Sequence, residues 1–351
     1  MLSRVADSIY WMARYMERAE NLARLLMANQ NLMLDAGSRG QEEGNLWEPV
    51  LMTTGDEEGY HKLYSTMAGA DVEDYLSVRP ENSNSILNCI RTARENARMI
   101  RDQIPDEVWR SVNDLYLFMT CDKGEQLRQQ VRMDYYEEVV RGSCLFQGVA
   151  RATMMRDEGW QFLQIGTYLE RADKATRLVD MCSDLPMKKD SQAIEHPLRW
   201  QSLLHSCSAY HGYREQDNDI NPRSVLEFLF LSDRFSRSVR FCMREVNRAL
   251  GQLNPPPGNV GMPAPVRACG LLSAQLEYGT IDEILDHGVH EYIDDLQSKL
   301  NTLGLAIFET YVLYADLSPV GPTTSAPVIP LGAWHADQDA HSQQQQQQQQ
   351  Q

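Results

Sequence analysis

Val5, Ile9, Met12, Met16, Ala19, Ala23 and Leu26 follow one another at intervals of four and three. That rhythm puts them on one face of a helix and predicts a long amphipathic helix packed nearly parallel or antiparallel to its neighbours. Phe162, Ile165, Leu169, Ala172, Thr176 and Val179 repeat it later in the chain. Ile86, Ile90, Ala93, Ala97, Ile100 and Ile104 mark a helix over 84–104, and Val289, Ile293, Leu296, Leu300, Leu303 and Ile307 mark a last one ending near Tyr314. Pro105 with Asp106 restarts a helix near 106–120, and residues 125–153 read as one long helix. Gly159 frees the backbone for a sharp turn around Arg156–Gly159, and Asn221-Pro222 reads as an N-cap with a first-turn proline. Residues 36–60 are rich in Gly and acids and read as a mobile connection, and Pro255 to Pro265 reads as a loop. No alternating strand pattern appears, so the expected fold class is all-α.

The two motif helices match residue for residue. Tyr15-Met16-Glu17-Arg18-Ala19-Glu20 returns 153 positions later as Tyr168-Leu169-Glu170-Arg171-Ala172-Asp173, and Arg24 returns as Arg177. The register holds through Trp47 with Trp200, Tyr60 with Tyr213, Cys89 with Cys242 and Arg91 with Arg244. A fixed offset over that length is the mark of duplication. It predicts an internally duplicated helical bundle with pseudo-twofold halves, about 1–140 and 141–317, in one domain. Beyond Ser318 the chain turns to Pro, Ser and Thr and closes in nine Gln. That composition cannot pack a core and predicts a disordered tail over 318–351.

Composition narrows the partners. The net charge is −16, which disfavours nucleic acid and anionic membrane surfaces. No run approaches the roughly 18 apolar residues of a membrane span. Of the 33 basic residues only 6 are Lys, a bias that suits ion pairs away from water. The seven Cys are scattered without a C-x-x-C pair, which reads as reduced, buried thiols in a cytoplasmic protein without a signal peptide. No phosphate-binding Gly-rich loop is present, and no cofactor is expected.

Candidate chemistry gathers on the duplicated helices. Glu17 and Glu170 sit one position past a core residue, so both should be partly buried and in need of a partner. They are the candidate catalytic residues. Tyr15, Glu20, Arg24 and Arg91, with Tyr168, Asp173, Arg177 and Arg244, are the candidate ligand-binding set. The expected partners of the glutamates are two rows of arginines, Arg91, Arg94, Arg98 and Arg101 in one half and Arg237, Arg240, Arg244 and Arg248 in the other. Two readings stand side by side: a Glu/Arg cleft holding an amino acid or a peptide end, and an ion-pair lattice that fixes helix register. Glu283, Asp286, His287, His290 and Glu291 cluster at helical spacing, but they read as a solvated helix or turn, and no metal site is expected.

The opening Met1-Leu2-Ser3-Arg4-Val5-Ala6-Asp7-Ser8-Ile9-Tyr10-Trp11-Met12-Ala13-Arg14-Tyr15-Met16-Glu17-Arg18-Ala19-Glu20 resembles that of the bacterial alpha-E family. Arg94-Glu95-Asn96-Ala97-Arg98, Met155-Arg156-Asp157-Glu158-Gly159-Trp160, Leu169-Glu170-Arg171-Ala172-Asp173 and Asn221-Pro222-Arg223-Ser224 resemble its other signatures, over about residues 1–316. The resemblance implies a helical protein encoded beside, or fused to, circularly permuted ATP-grasp ligase-like proteins, often with transglutaminase-like proteins nearby. It therefore implies an accessory or partner protein of an amide-ligase-type system that makes or modifies a peptide. One alternative is an enzyme using Glu17 and Glu170 as acid and base in amide formation, cleavage or transfer. Another is a purely structural helical scaffold. Phe235-Ser236-Arg237-Ser238 departs from the family's Phe-Pro-Arg-Ser, and losing the proline weakens the expected helix start there.

Overall fold

The computed structural model describes residues 3–37, 44–183, 195–216, 219–255 and 261–313. Among these residues every regular element is a helix, and none is long and apolar enough to cross a membrane. The first half of the chain carries α1 (Ser3–Gly37), α2 (Gly44–Thr54), α3 (Glu57–Leu63), α4 (Gly69–Ser77), α5 (Ile86–Met99), α6 (Asp106–Thr120), α7 (Asp122–Gln130) and α8 (Arg132–Thr153). The second carries α9 (Glu158–Asp180), α10 (Glu195–Ser206), α11 (Tyr210–Arg214), α12 (Pro222–Leu231), α13 (Val239–Leu250), α14 (Ala264–Tyr278), α15 (Ile281–His287) and α16 (Val289–Tyr311).

The helix starts follow local chemistry. Ser85, Asp157, Asn221 and Ser238 each accept a backbone N–H from three residues on, which caps α5, α9, α12 and α13. Thr280 and Glu283 form a reciprocal capping box at the start of α15. Ser238 therefore starts α13 without the proline expected before it. Gly288, at φ +94°, makes the bend between α15 and α16.

Several expected boundaries move. Residues 44–54 and 57–63 are helical rather than a mobile connection, because Leu46, Trp47, Val50, Leu51 and Tyr60 reach the core, and 38–43 lie outside the described residues. The helix expected over 125–153 is two helices, parted at Val131. The break before α9 is made by the Asp157 cap, and Gly159 already lies in the first turn. Residue 140 falls inside α8, and the chain next breaks at 154–157, just before α9 carries the second motif copy. The tail 318–351 and residues 256–260 of the expected loop lie outside the described residues.

The first and ninth helices form the axis of the molecule. α1 packs on α5, α8, α9, α10 and α16, and α9 packs on α1, α13 and α16. They approach closely at Gly166, where a Cβ would stand 2.4 Å from the Tyr10 carbonyl oxygen. Both helices are buried over most of their circumference. A helix so enclosed is ordinarily apolar all round. These two instead carry Arg14, Glu17, Arg18, Glu20, Glu170, Arg171 and Asp173 into the interior. Buried charges persist only when paired, and that requirement builds the site.

Residues at the shared offset occupy matching environments. Trp47 and Trp200 are both buried, as are Cys89 and Cys242. Tyr60 donates to the Thr66 carbonyl and Tyr213 to the Asp219 carbonyl, at 2.9 and 2.8 Å.

Candidate functional site

Each motif glutamate is held by the arginine that follows the other. Arg171 Nε donates to Glu17 at 2.9 Å, and Arg18 Nε donates to Glu170 at 2.7 Å. A second guanidinium completes each pair from a different direction. Arg237 Nη1, from the loop before α13, reaches Glu17 at 2.7 Å, and Arg14 Nε, one turn up α1, reaches Glu170 at 2.6 Å. Glu17 Oε2 accepts from Gln147 at 3.0 Å, and Gln147 Oε1 accepts in turn from Arg171 at 2.7 Å. Glu17 and Glu170 expose 1% and 0% of their surface, so neither faces solvent.

Around these pairs sit the acids and arginines one turn on. Glu20 accepts from Arg24 at 2.9 Å, from Gln147 at 2.9 Å and from Arg237. Asp173 accepts from Arg177 at 3.1 Å, and Lys174 Nζ lies 3.3 Å from Asp173 and 3.8 Å from Glu170. The guanidinium carbons of Arg18 and Arg171 stand 5.3 and 5.4 Å from the ring centres of Tyr15 and Tyr168.

The electrostatics keep both glutamates ionised. Burial pushes the Glu17 carboxyl up, but Arg171 and Arg237 outweigh it and hold the group below the usual range. The same contest at Glu170 is settled by Arg18, Arg14 and Lys174, which hold it well below that range. Asp173, buried against Arg177 and Lys174, falls to about 2. Lys174 is drawn down by burial, which its acidic neighbours only partly offset. A carboxylate fixed as an anion, with both oxygens occupied and no access to water, is a poor general acid and a poor general base.

Of the candidate residues, the structure brings together Tyr15, Glu17, Glu20 and Arg24 with Tyr168, Glu170, Asp173 and Arg177. It does not bring in Arg91 or Arg244. Arg91 is exposed and donates to Asn88 at 2.7 Å; Arg244 is exposed, donates to the Asp233 carbonyl at 3.0 Å and covers Phe241. The partners of the glutamates therefore come mainly from the motif helices themselves, and of the two arginine rows Arg237 alone bonds either glutamate. Arg14, Arg18, Gln147, Arg171 and Lys174 complete the cluster. Arg18 and Arg171 were in view, each directly after its glutamate, but adjacent helix residues point about 100° apart and cannot pair with each other. Their partners lie across the helix crossing. His290 of α16 meets Asp180 of α9 at 2.7 Å, and among the described residues no three His, Cys, Asp or Glu side chains converge as a metal site would need.

A family model described as a predicted α-helical domain with a conserved ER motif matches residues 1–312. The chain belongs to the Alpha-E family. Its Glu-Arg dipeptides, Glu17-Arg18 and Glu170-Arg171, are the residues that exchange partners across the α1–α9 crossing. This Alpha-E chain is 23% identical over 338 residues to uncharacterised proteins of Mycobacterium bovis and Mycobacterium tuberculosis. The match covers 87% of the present chain and 37% of each relative, so the chain spans little more than a third of their length. No solved structure matches it.

Proposed function

We propose that this Alpha-E chain is a helical partner module of an ATP-grasp amide-ligase-type system that makes or modifies a peptide, and that its Glu-Arg motifs hold the module rigid rather than perform acid–base chemistry. The observation that carries the second part is the saturation of Glu17 and Glu170, each by two guanidiniums, in the interior. It favours the lattice over a catalytic acid–base pair. The first part rests on family resemblance. The greater length of the curated relatives supports it, since it leaves room for a fused companion domain. A transglutaminase-like protein is a second expected companion. Seven free thiols, of which Cys121 and Cys144 are exposed rather than buried as expected, suit a reducing, cytoplasmic setting.

We also read the chain as a duplicated helical unit. Reciprocal Glu-Arg pairing, matched serine caps on α5 and α13, and matched tyrosine bonds at one offset all support that reading.

The test is co-expression with a circularly permuted ATP-grasp protein from the same organism. Stable co-elution, together with Glu17→Gln and Glu170→Gln variants that lose stability in proportion to any loss of function, is the expected result. A well-folded Glu17→Gln variant that selectively loses turnover would overturn the lattice reading in favour of the enzyme.

A further inference from the structure

A half-open cavity of about 40 Å³ lies beside the Glu170 cluster, between α1, α2 and α9. Its polar wall includes Arg18, Asp56, Asn84 and Lys174, and its apolar wall includes Leu22, Leu25 and Leu178. At roughly 10–15 Å³ per water, that space suits a small head group rather than a whole side chain. Asp56 is 9% exposed and lines the cavity, and its Oδ1 accepts from Asn84 at 3.1 Å. Burying a carboxylate costs free energy unless donors or a cation meet it. Close by, Arg14, Arg18, Lys174 and Arg177 surround Glu170 and Asp173, leaving an excess of positive charge.

The cavity arises where the two halves stop matching. The residue 153 positions after Asn84 is Arg237, whose guanidinium fills the space beside Glu17 and bonds Glu17, Glu20 and Asn21. Asn84 is shorter and stops at Arg18 and Asp56. At the same offset Asp56 stands against Ala209, and Lys174 against Asn21. One side thus has a guanidinium filling the space. The other has an open cavity, an added acid and an added amine.

We propose that this cavity binds the head group of a free α-amino acid, its ammonium towards the Asp56 carboxylate and its carboxylate towards Lys174 Nζ, with the side chain running outward past Leu22, Leu25 and Leu178. A simple cation would meet Arg18 and Lys174, and a simple anion would meet Asp56; a zwitterion satisfies both. Burial raises the Asp56 carboxyl and lowers the Lys174 amine, towards their neutral forms. A zwitterion brings each group the opposite charge and draws both back to the ionised state. The ligand class rests on the peptide-system reading above, whereas the site rests on the cavity alone.

Calorimetric titration of the full chain with glycine, alanine, leucine, glutamate and lysine tests this, followed by the N-acetyl and carboxamide derivatives of whichever binds best. At least one free amino acid should bind, and each blocked derivative should bind at least about tenfold more weakly. Asp56→Asn and Lys174→Met should each weaken binding about tenfold, since each removes one charged partner of the head group. Asn84→Arg should place a guanidinium in the space and abolish binding; the added positive charge beside Arg18 and Lys174 should lower the melting temperature, and circular dichroism at the titration temperature checks that the variant is folded. Absence of binding by all five amino acids, equal binding of a blocked derivative, or undiminished binding by Asn84→Arg would each overturn the site. Failure to co-elute with the ATP-grasp protein would remove the partnership and leave the amino-acid site standing.

Discussion

Glu170 receives Arg14 and Arg18 where neither guanidinium has an alternative in water: their side chains are 5% and 8% exposed. Replacing the carboxylate by an amide leaves two buried cations without a counter-charge. Glu170→Gln should therefore lower stability by roughly 3–5 kcal/mol in urea denaturation, whereas Arg91→Ala, on the exposed face of α5, should stay within about 0.5 kcal/mol. The same pairs set the acid limit. Glu17, Glu170 and Asp173 titrate lower in the folded chain than in the unfolded one. Their contribution is thus complete above the ordinary carboxylate values and is lost as pH falls through the folded values, near 2 for Asp173. Asp7 has the opposite sign: burial, only partly offset by a hydrogen bond with Trp11, raises it to about 6, and its Oδ1 is unpartnered. Acidification from pH 7 towards 4 should then add stability before the lattice begins to fail. Thermal melts across pH 2–8 should show a maximum in the mildly acidic range, and Asp7→Asn should raise the melting temperature at pH 7.5 and flatten the neutral side of the profile. Asp7 carried no signal in the sequence, because a single acid near a helix start is ordinarily solvated. Glu17 and Glu170 did carry one, through their place beside the apolar stripe.

Helices α1 and α9 show which parts of an element can be read from periodicity. The stripes of Val5 to Leu26 and Phe162 to Val179 gave the helices and their inward faces. They did not give the crossing, because that depends on how close a second backbone can come. Gly166 decides it. A methyl group there would meet the Tyr10 carbonyl oxygen at 2.4 Å and the Ala13 methyl at 3.1 Å, and a backbone atom in a packed helix cannot move aside cheaply. Gly166→Ala should cost about 1–3 kcal/mol and loosen both Glu-Arg pairs, although alanine is the better helix former. Gly148 in α8 is exposed with nothing within 4 Å of its notional Cβ. Gly148→Ala should stabilise the protein by about 0.5–1 kcal/mol. Opposite signs from one substitution in two helices, read in a single denaturation series, test the packing directly. The segment 44–63 was misread for a related reason. Its Gly and acid content suggests a loop, while the buried Leu46, Trp47, Val50 and Leu51 make a stripe little more than one turn long, with Tyr60 on a separate short helix beyond Gly55.

At the scale of the whole chain, each half carries charges that the other half must neutralise. Glu17 lies on α1, and its guanidiniums come from α9 and from the loop before α13; Glu170 lies on α9, and its guanidiniums come from α1. The α1 helix also packs on α5 and α8 from its own side and on α9, α10 and α16 from the other. Neither half can bury its motif helix alone without stranding a carboxylate or an arginine, at a cost of several kcal/mol per ion. The break at 154–157, between α8 and α9, allows this to be tested without cutting a helix. Residues 1–155 and 156–351, expressed separately, should show no cooperative thermal transition by circular dichroism. Expressed together, they should co-elute and melt as one unit, and Glu17→Gln in the first fragment should abolish their association. Independent folding of residues 1–155 would show that the cross-paired charges ornament two self-sufficient halves. Reassembly that depends on Glu17 would show that the Glu-Arg dipeptides are what makes two halves one protein, and so why Glu and Arg stand side by side in both.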